Sequence, residues 1–151
     1  GALQGEKMLF KKKLEGTKTC KLLKEAFAAE CFAERRFKLF ASIARDEGLP
    51  AIEDTFNEMA RSQNYHAESH FNMLRESGEQ YYGFKVGNTV ENIKTALAAE
   101  ALESDECTGL IKVATDEGLS YVAERVEQIA IDEVAHIHRL NTLMNEIVKW
   151  T

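Results

Sequence analysis

Two short stretches carry residues with chemistry in them. In "SQNYHAES" (62–69), Gln63 stands three residues before His66, and in "IDEVAHIHR" (131–139), Glu133 stands three before His136. On a helix, positions i and i+3 share a face, so each pair aims an oxygen donor and an imidazole at one point. Glutamate oxygens and imidazole nitrogens are ligands for divalent transition metals. Glu30, Glu100 and Glu103 are further acids placed where apolar residues are expected. One Glu from each of two helices, with Glu-x-x-His from each of two others, is the carboxylate constellation that holds two iron or manganese ions inside helical bundles. Gln63 departs from it. A carboxylate carries charge and two acceptor oxygens and can bridge two metals, whereas an amide offers one neutral oxygen and an N–H₂ group.

The elements that position these residues follow from an internal repeat. "KEAFAAE" (24–30) matches "KTALAAE" (94–100) at five of seven positions, and "ARDEGL" (44–49) matches "ATDEGL" (114–119) at five of six, both at an offset of 70. The same offset carries His66 onto His136 and Ala60 onto Ala130. A chain of two such copies is two helical hairpins. Thr17 or Thr19 caps a first helix that ends at Gly48, and Pro50 opens a second that runs to about Gly78. Asn88 or Thr89 starts a third, ending near Gly118, and a fourth runs from Ser120 to about Trp150. Each is roughly 43 Å long at 1.5 Å per residue. Residues 78–88 connect the hairpins. Extended, these eleven residues reach roughly 37 Å, which allows a crossover along the bundle while leaving a short-loop topology open. The expected fold is all-α, a ferritin-like four-helix bundle built from hairpins 17–78 and 88–150, behind an N-terminal tail of residues 1–16.

The apolar stripes show where the polar residues fall. The second helix reads Ile52, Phe56, Met59, Gln63, His66, His70, Met73, and the fourth reads Val122, Val126, Ile129, Glu133, His136, Leu140, Leu143. Both have the alternating four–three rhythm of a bundle seam. Glu30 interrupts the first helix, and Glu100 and Glu103 the third. Glu30 precedes the turn glycine Gly48 by 18 residues and His66 follows it by 18; Glu100, Gly118 and His136 repeat those intervals. Equal distances from a turn place residues at equal height in an antiparallel hairpin, so the polar residues are expected in one dry layer. Several bare carboxylates in such a layer require compensating cations. His70 has Leu140 as its repeat counterpart and is taken as a core or rim histidine; His138 and Glu34 are taken as surface residues, and Cys107 as a small buried hydrophobe.

Composition narrows the classes further. The chain has 151 residues, one proline, 44% hydrophobic and 29% charged residues and a net charge of −6. This describes one helical globular domain with a real core. The acidic balance argues against nucleic acid; Lys11-Lys12-Lys13 is a short basic run best placed in a solvated tail. No apolar run approaches a membrane span, and no signal peptide is visible. "GALQGEK" is read as partly an expression remnant, with Met8 a candidate native start. Three cysteines, Cys20, Cys31 and Cys107, form no C-x-x-C pair, which suits free thiols in a reducing cytoplasm.

"GTKTCKLLKEAFAAECFAERRFKLFASIARDEGL", "FNEMARSQNYHAE", "ENIKTALAAEALE" and "IAIDEVAHIHR" resemble the ferritin-like domain of rubrerythrins over about residues 16–145. Glu103 adds to the likeness, because Ala33 stands at its repeat position and the family is similar in carrying an extra glutamate in its second half. The resemblance implies a cytoplasmic non-haem di-iron enzyme of oxidative-stress defence that reduces hydrogen peroxide, or reacts with dioxygen, and forms a homodimer in which hairpins can exchange. The implied ligands are Glu30, His66, Glu100, Glu103, Glu133 and His136, with Gln63 where the family has a bridging glutamate. The implied metal is a pair of iron ions; Gln63 keeps open a single ion, or zinc or manganese in their place. Glu30, Glu100, Glu103 and Glu133 would handle protons. Phe37 and Thr108 stand where the family usually has tyrosines. The sequence carries none of the C-x-x-C pairs of a rubredoxin-like domain, so electrons would come from a separate donor such as rubredoxin. Two other expectations are carried beside the peroxidase: a metal-binding protein with a weakened site and little turnover, and a metal-free bundle whose acids and histidines pair.

Overall fold

A computed structural model describes residues 14–77, 80–81 and 84–150 of the chain. Most of the expected tail, the Lys11–Lys13 run included, lies outside the described residues. The chain divides into two compact units, Gly1–Glu79 and Gln80–Thr151. The first carries helices α1 (Lys18–Asp46) and α2 (Pro50–Ser77); the second carries short strands β1 (Gln80–Tyr81) and β2 (Phe84–Lys85) and helices α3 (Thr89–Asp116) and α4 (Ser120–Trp150). Each unit is a helical hairpin, and no helix among the described residues is long and apolar enough to cross a membrane.

Caps set the helix limits. Thr17 has extended backbone, and its Oγ1 accepts from the Cys20 N–H at 3.0 Å while donating to the Leu14 carbonyl at 2.6 Å. Asn88 caps α3 in the same way, its Oδ1 accepting from the Glu91 N–H at 2.9 Å. Each satisfies an amide that the first helical turn leaves without a partner. The two turns close identically. The Gly48 N–H reaches the Arg45 carbonyl at 3.0 Å and the Leu49 N–H reaches that of Ala44 at 2.9 Å; Gly118 and Leu119 repeat the pair on Thr115 and Ala114 at 3.1 and 2.8 Å. This is the Schellman closure, which needs a left-handed residue after the helix end. Gly48 and Gly118 supply it with φ of 74° and 75°.

Within each hairpin the contact line is built from small residues. Ala41 and Ala44 on α1 and Ala60 and Ala67 on α2 are buried, as are Ala114 on α3 and Ala123 on α4. Side chains this short let two helices approach closely along the line, and the bulkier stripe residues flank it. Ile52, Met59 and Ile129, expected in the seam, are accordingly 45%, 45% and 49% exposed. In the first hairpin, aromatic pairs bracket the level of Glu30: Phe27 with Phe71 at 6.0 Å on one side, Phe37 with Phe56 at 6.0 Å on the other.

The connection contains a short ribbon. β1 and β2 pair antiparallel, Gln80 with Lys85 and Tyr81 with Phe84. Gly87 then exchanges two hydrogen bonds with the Asn92 side chain, at 2.7 and 3.0 Å, which ties the end of the connection to the first turn of α3.

Candidate metal centre

The matched intervals from the turn glycines bring glutamate and histidine together in each hairpin. His66 Nδ1 lies 3.3 Å from Glu30 Oε2, and His136 Nδ1 lies 3.4 Å from Glu100 Oε2. The same atoms meet in both copies. An N–H···O hydrogen bond closes to about 2.9–3.0 Å. Two ligand atoms held about 2.0–2.1 Å from a tetrahedral ion stand about 3.4 Å apart. The observed contacts are long hydrogen bonds, and their spacing also leaves the two donors able to share one cation.

The second hairpin gathers a third donor. Glu100, Glu133 and His136 each place a ligand atom within 4.8 Å of the others, the one such trio among the described residues. Glu133 Oε2 is shut off from solvent and has no hydrogen-bond donor. The Glu133 carboxyl is pushed above the ordinary carboxylate value, first by its hydrogen bond to Glu100, then by burial and the Glu100 charge. Glu103 is also raised, by burial first and then by the charge of Glu133 and a hydrogen bond to it. Two carboxylates cannot hydrogen-bond without a proton between them. Glu133 and Glu103 therefore hold their protons more tightly than free carboxyls do. A divalent cation would replace those protons and give Oε2 a partner, so these donors fit the metal that their types suggest.

The first hairpin is built differently. Gln63, at the repeat position of Glu133, is half-buried on α2. His70, taken from the sequence as a core or rim histidine, is half-buried and approaches Glu30. Its Nε2 lies 3.9 Å from Glu30 Oε1, and its Nδ1 is buried with no hydrogen-bond partner. Comparison with Leu140 hid this residue; its spacing four after His66, one helical turn along the same face, was the signal that could have found it.

The dry layer is only partly dry. Among the described residues no polar or charged side chain is fully buried. Glu30 and Glu100 are both 23% exposed, while His66 and His136 are 54% and 58% exposed. Each imidazole stands at the margin of the alanine contact line, where a hairpin's two helices do not close over it. Glu103 and His138 are exposed. Glu34 pairs with Lys38 at 2.8 Å as a surface ion pair. Cys107 is half-buried rather than buried; burial and the charges of Glu133, Glu103 and Glu106 raise its thiol, keeping it protonated.

A family model for rubrerythrin matches residues 21–144. The chain belongs to the rubrerythrin family. It is 36% identical to a rubrerythrin of Clostridium perfringens and 34% identical to rubrerythrin-1 of Clostridium acetobutylicum, each match covering 90% of this chain and 74% of the relative. A rubrerythrin of Porphyromonas gingivalis is 33% identical over 90% of this chain and 70% of its own. All seven candidate ligands, from Glu30 to His136, lie inside the rubrerythrin match. The fold class is that of the family: an all-α chain whose four long helices are the helix inventory of a ferritin-like bundle.

Proposed function

We propose that this rubrerythrin-family chain is a non-haem di-iron peroxidase, reducing hydrogen peroxide to water in defence against oxidative stress. The observation that carries the reading is the Glu100–Glu133–His136 trio, whose ligand atoms all lie within 4.8 Å of one another around a Glu133 oxygen with no hydrogen-bond partner. Family membership supports iron as the metal. The ligand set is Glu30 and His66 from the first hairpin and Glu100, Glu103, Glu133 and His136 from the second. When bound, an iron pair supplies two electrons, one from each ion.

The protein's own part is to place and move protons. Reducing one peroxide to two waters takes up two protons with the two electrons. Glu103 is exposed and Glu133, beside it, is half-buried, so Glu103 takes a proton from solvent and Glu133 delivers one inside. A carboxyl raised above its ordinary value holds that proton closer to neutral pH, where a general acid works best. His136, in contact with Glu100, orients that carboxylate. The aromatic pairs beside Glu30 cover the first hairpin's donors along the helix axis. The electrons come from an external donor such as rubredoxin, and the working form is a cytoplasmic homodimer.

The test is a single-turnover reaction. Chain reconstituted with Fe(II) without oxygen is mixed with peroxide, and iron oxidation is followed by stopped-flow absorbance. The expected result is two irons oxidised per peroxide, much faster than free Fe(II). Oxidation no faster than free Fe(II) refutes the peroxidase.

A further inference from the structure

The backs of α1 and α3 carry a pattern that the metal centre does not use. Phe32, Arg36, Leu39 and Ile43 follow one another at intervals of four, three and four residues, the spacing of a coiled-coil seam. At about 100° per residue they lie roughly 180–240° around α1 from Glu30, on the far side of the helix from the ligand face. Leu102, Glu106 and Val113 hold the matching places on α3, roughly 200–240° from Glu100. The five apolar members are all more than half exposed, from 52% to 68%. A contiguous apolar stripe left open along a helix marks an interaction surface, which single exposed apolar residues do not.

The charges on the two seams are opposite. The 70-residue offset carries Lys21, Arg35 and Arg36 of α1 onto Glu91, Asp105 and Glu106 of α3. These are the sign reversals between the two helices, and all three fall on the backs. Lys24, Glu30 and Asp46 keep their sign in Lys94, Glu100 and Asp116. Arg36 lies over the Phe32 and Phe37 rings, 5.7 and 5.5 Å from their centroids, which holds its guanidinium close to the seam. Arg36 and Glu106 are both exposed, and neither has an ion-pair partner among the described residues.

We propose that the α1 seam of one copy docks on the α3 seam of a second copy, with Arg36 against Glu106. Charge chooses the occupant. α1 on α1 would set Arg36 against Arg36, and α3 on α3 would set Glu106 against Glu106. α1 on α3 instead pairs Phe32 with Leu102, Arg36 with Glu106 and Ile43 with Val113. A single polar position in such a seam fixes register and partner at some cost in stability. Each copy offers both seams, so two copies satisfy both contacts about a two-fold axis. The docking deepens the homodimer of the preceding section and rests on its ligand set. When Glu30 and Glu100 turn toward a shared centre, the opposite faces of α1 and α3 point outward, where a second copy reaches them.

The experiment reads oligomeric state by sedimentation velocity on the full chain with chelator present, which keeps it separate from iron chemistry. The unsubstituted chain is expected to be a dimer. Arg36→Glu and Glu106→Arg should each weaken dimerisation about a hundred-fold, because like charges then meet in the seam. An equimolar mixture of the two variants should recover the dimer, since each reversed seam finds its opposite on the other chain. Leu39→Ser, a second kind of variant with no charge change, should also weaken the dimer, and circular dichroism confirms that each variant folds. A monomeric unsubstituted chain, reversed chains that stay dimeric, or a mixture no tighter than either variant alone overturns the inference and leaves the peroxidase reading standing. Failure of the iron-oxidation test, with the mixture behaving as expected, removes the peroxidase and leaves the docking.

Discussion

Replacing Glu100 by Gln separates metal binding from fold maintenance. In the metal-free chain this residue does two opposing things. It holds His136 at 3.4 Å, an exposed contact worth little, and its charge and hydrogen bond push up the neighbouring Glu133 carboxyl. The amide keeps the shape and removes the charge, so metal-free stability should move by less than about 1 kcal/mol. The metal-loaded chain should respond strongly, because a donor of the trio becomes neutral. With free metal at a thousand times its Kd, linkage stabilises the native state by about 4.1 kcal/mol; binding a hundred-fold weaker leaves about 1.4 kcal/mol. The difference, about 2.7 kcal/mol, corresponds to roughly 5–11 °C in Tm for a chain of this size. The assay is thermal unfolding followed by circular dichroism, each protein with chelator and with Zn²⁺ or anaerobic Fe(II). A metal-induced rise in Tm equal in both proteins would refute the trio as a metal site. A large drop in metal-free Tm would show that Glu100 is structural.

Two further outcomes are expected. Glu103 and Glu133 both have carboxyls raised above the ordinary value, so the native state binds their protons more tightly than the unfolded state. Their contribution is therefore favourable below the raised values, and metal-free stability falls as pH rises from the ordinary carboxylate value through them; urea titrations with chelator between pH 4.5 and 7 measure the slope, which Glu103→Gln should flatten and bound metal should reverse. Gly118→Ala should destabilise by about 1–2 kcal/mol, since the turn needs its positive φ although a Cβ would meet nothing, whereas Gly109→Ala, in the open interior of α3, should stabilise by about 0.5–1 kcal/mol; thermal unfolding of the two variants shows whether the signs are opposite.

Much of this architecture was legible before any coordinates. The Schellman glycines, the Thr17 and Asn88 caps and Pro50 are local signals, and local signals set helix ends within one or two residues. The Glu30–His66 and Glu100–His136 contacts were legible because counting equally from a turn glycine is a geometric statement about any antiparallel hairpin. Less legible was what depends on side-chain size across the contact. Alanines on the line decide how close two helices come, and so leave His66 and Ile129 more open than a stripe pattern suggests. The β1–β2 ribbon was hidden because two-residue strands have no periodicity to detect. The raised carboxyls of Glu103 and Glu133 are also a distance effect, invisible when acids are only counted.

The sharpest lesson concerns what a repeat conceals. Treating the two hairpins as copies makes every difference look like noise, and His70 was set aside because Leu140 faces it in the alignment. With the turn closures and the Glu–His contact the same in both, differences at the polar level acquire meaning. Three of them fall there: Ala33 against Glu103, Gln63 against Glu133, His70 against Leu140. Each moves a carboxylate to the second hairpin or an imidazole to the first. The first is left with one acid and two imidazoles, the second with three acids and one imidazole. Oxygen-rich, anionic donor sets favour harder and more highly charged ions, and nitrogen-rich sets favour softer divalent ones.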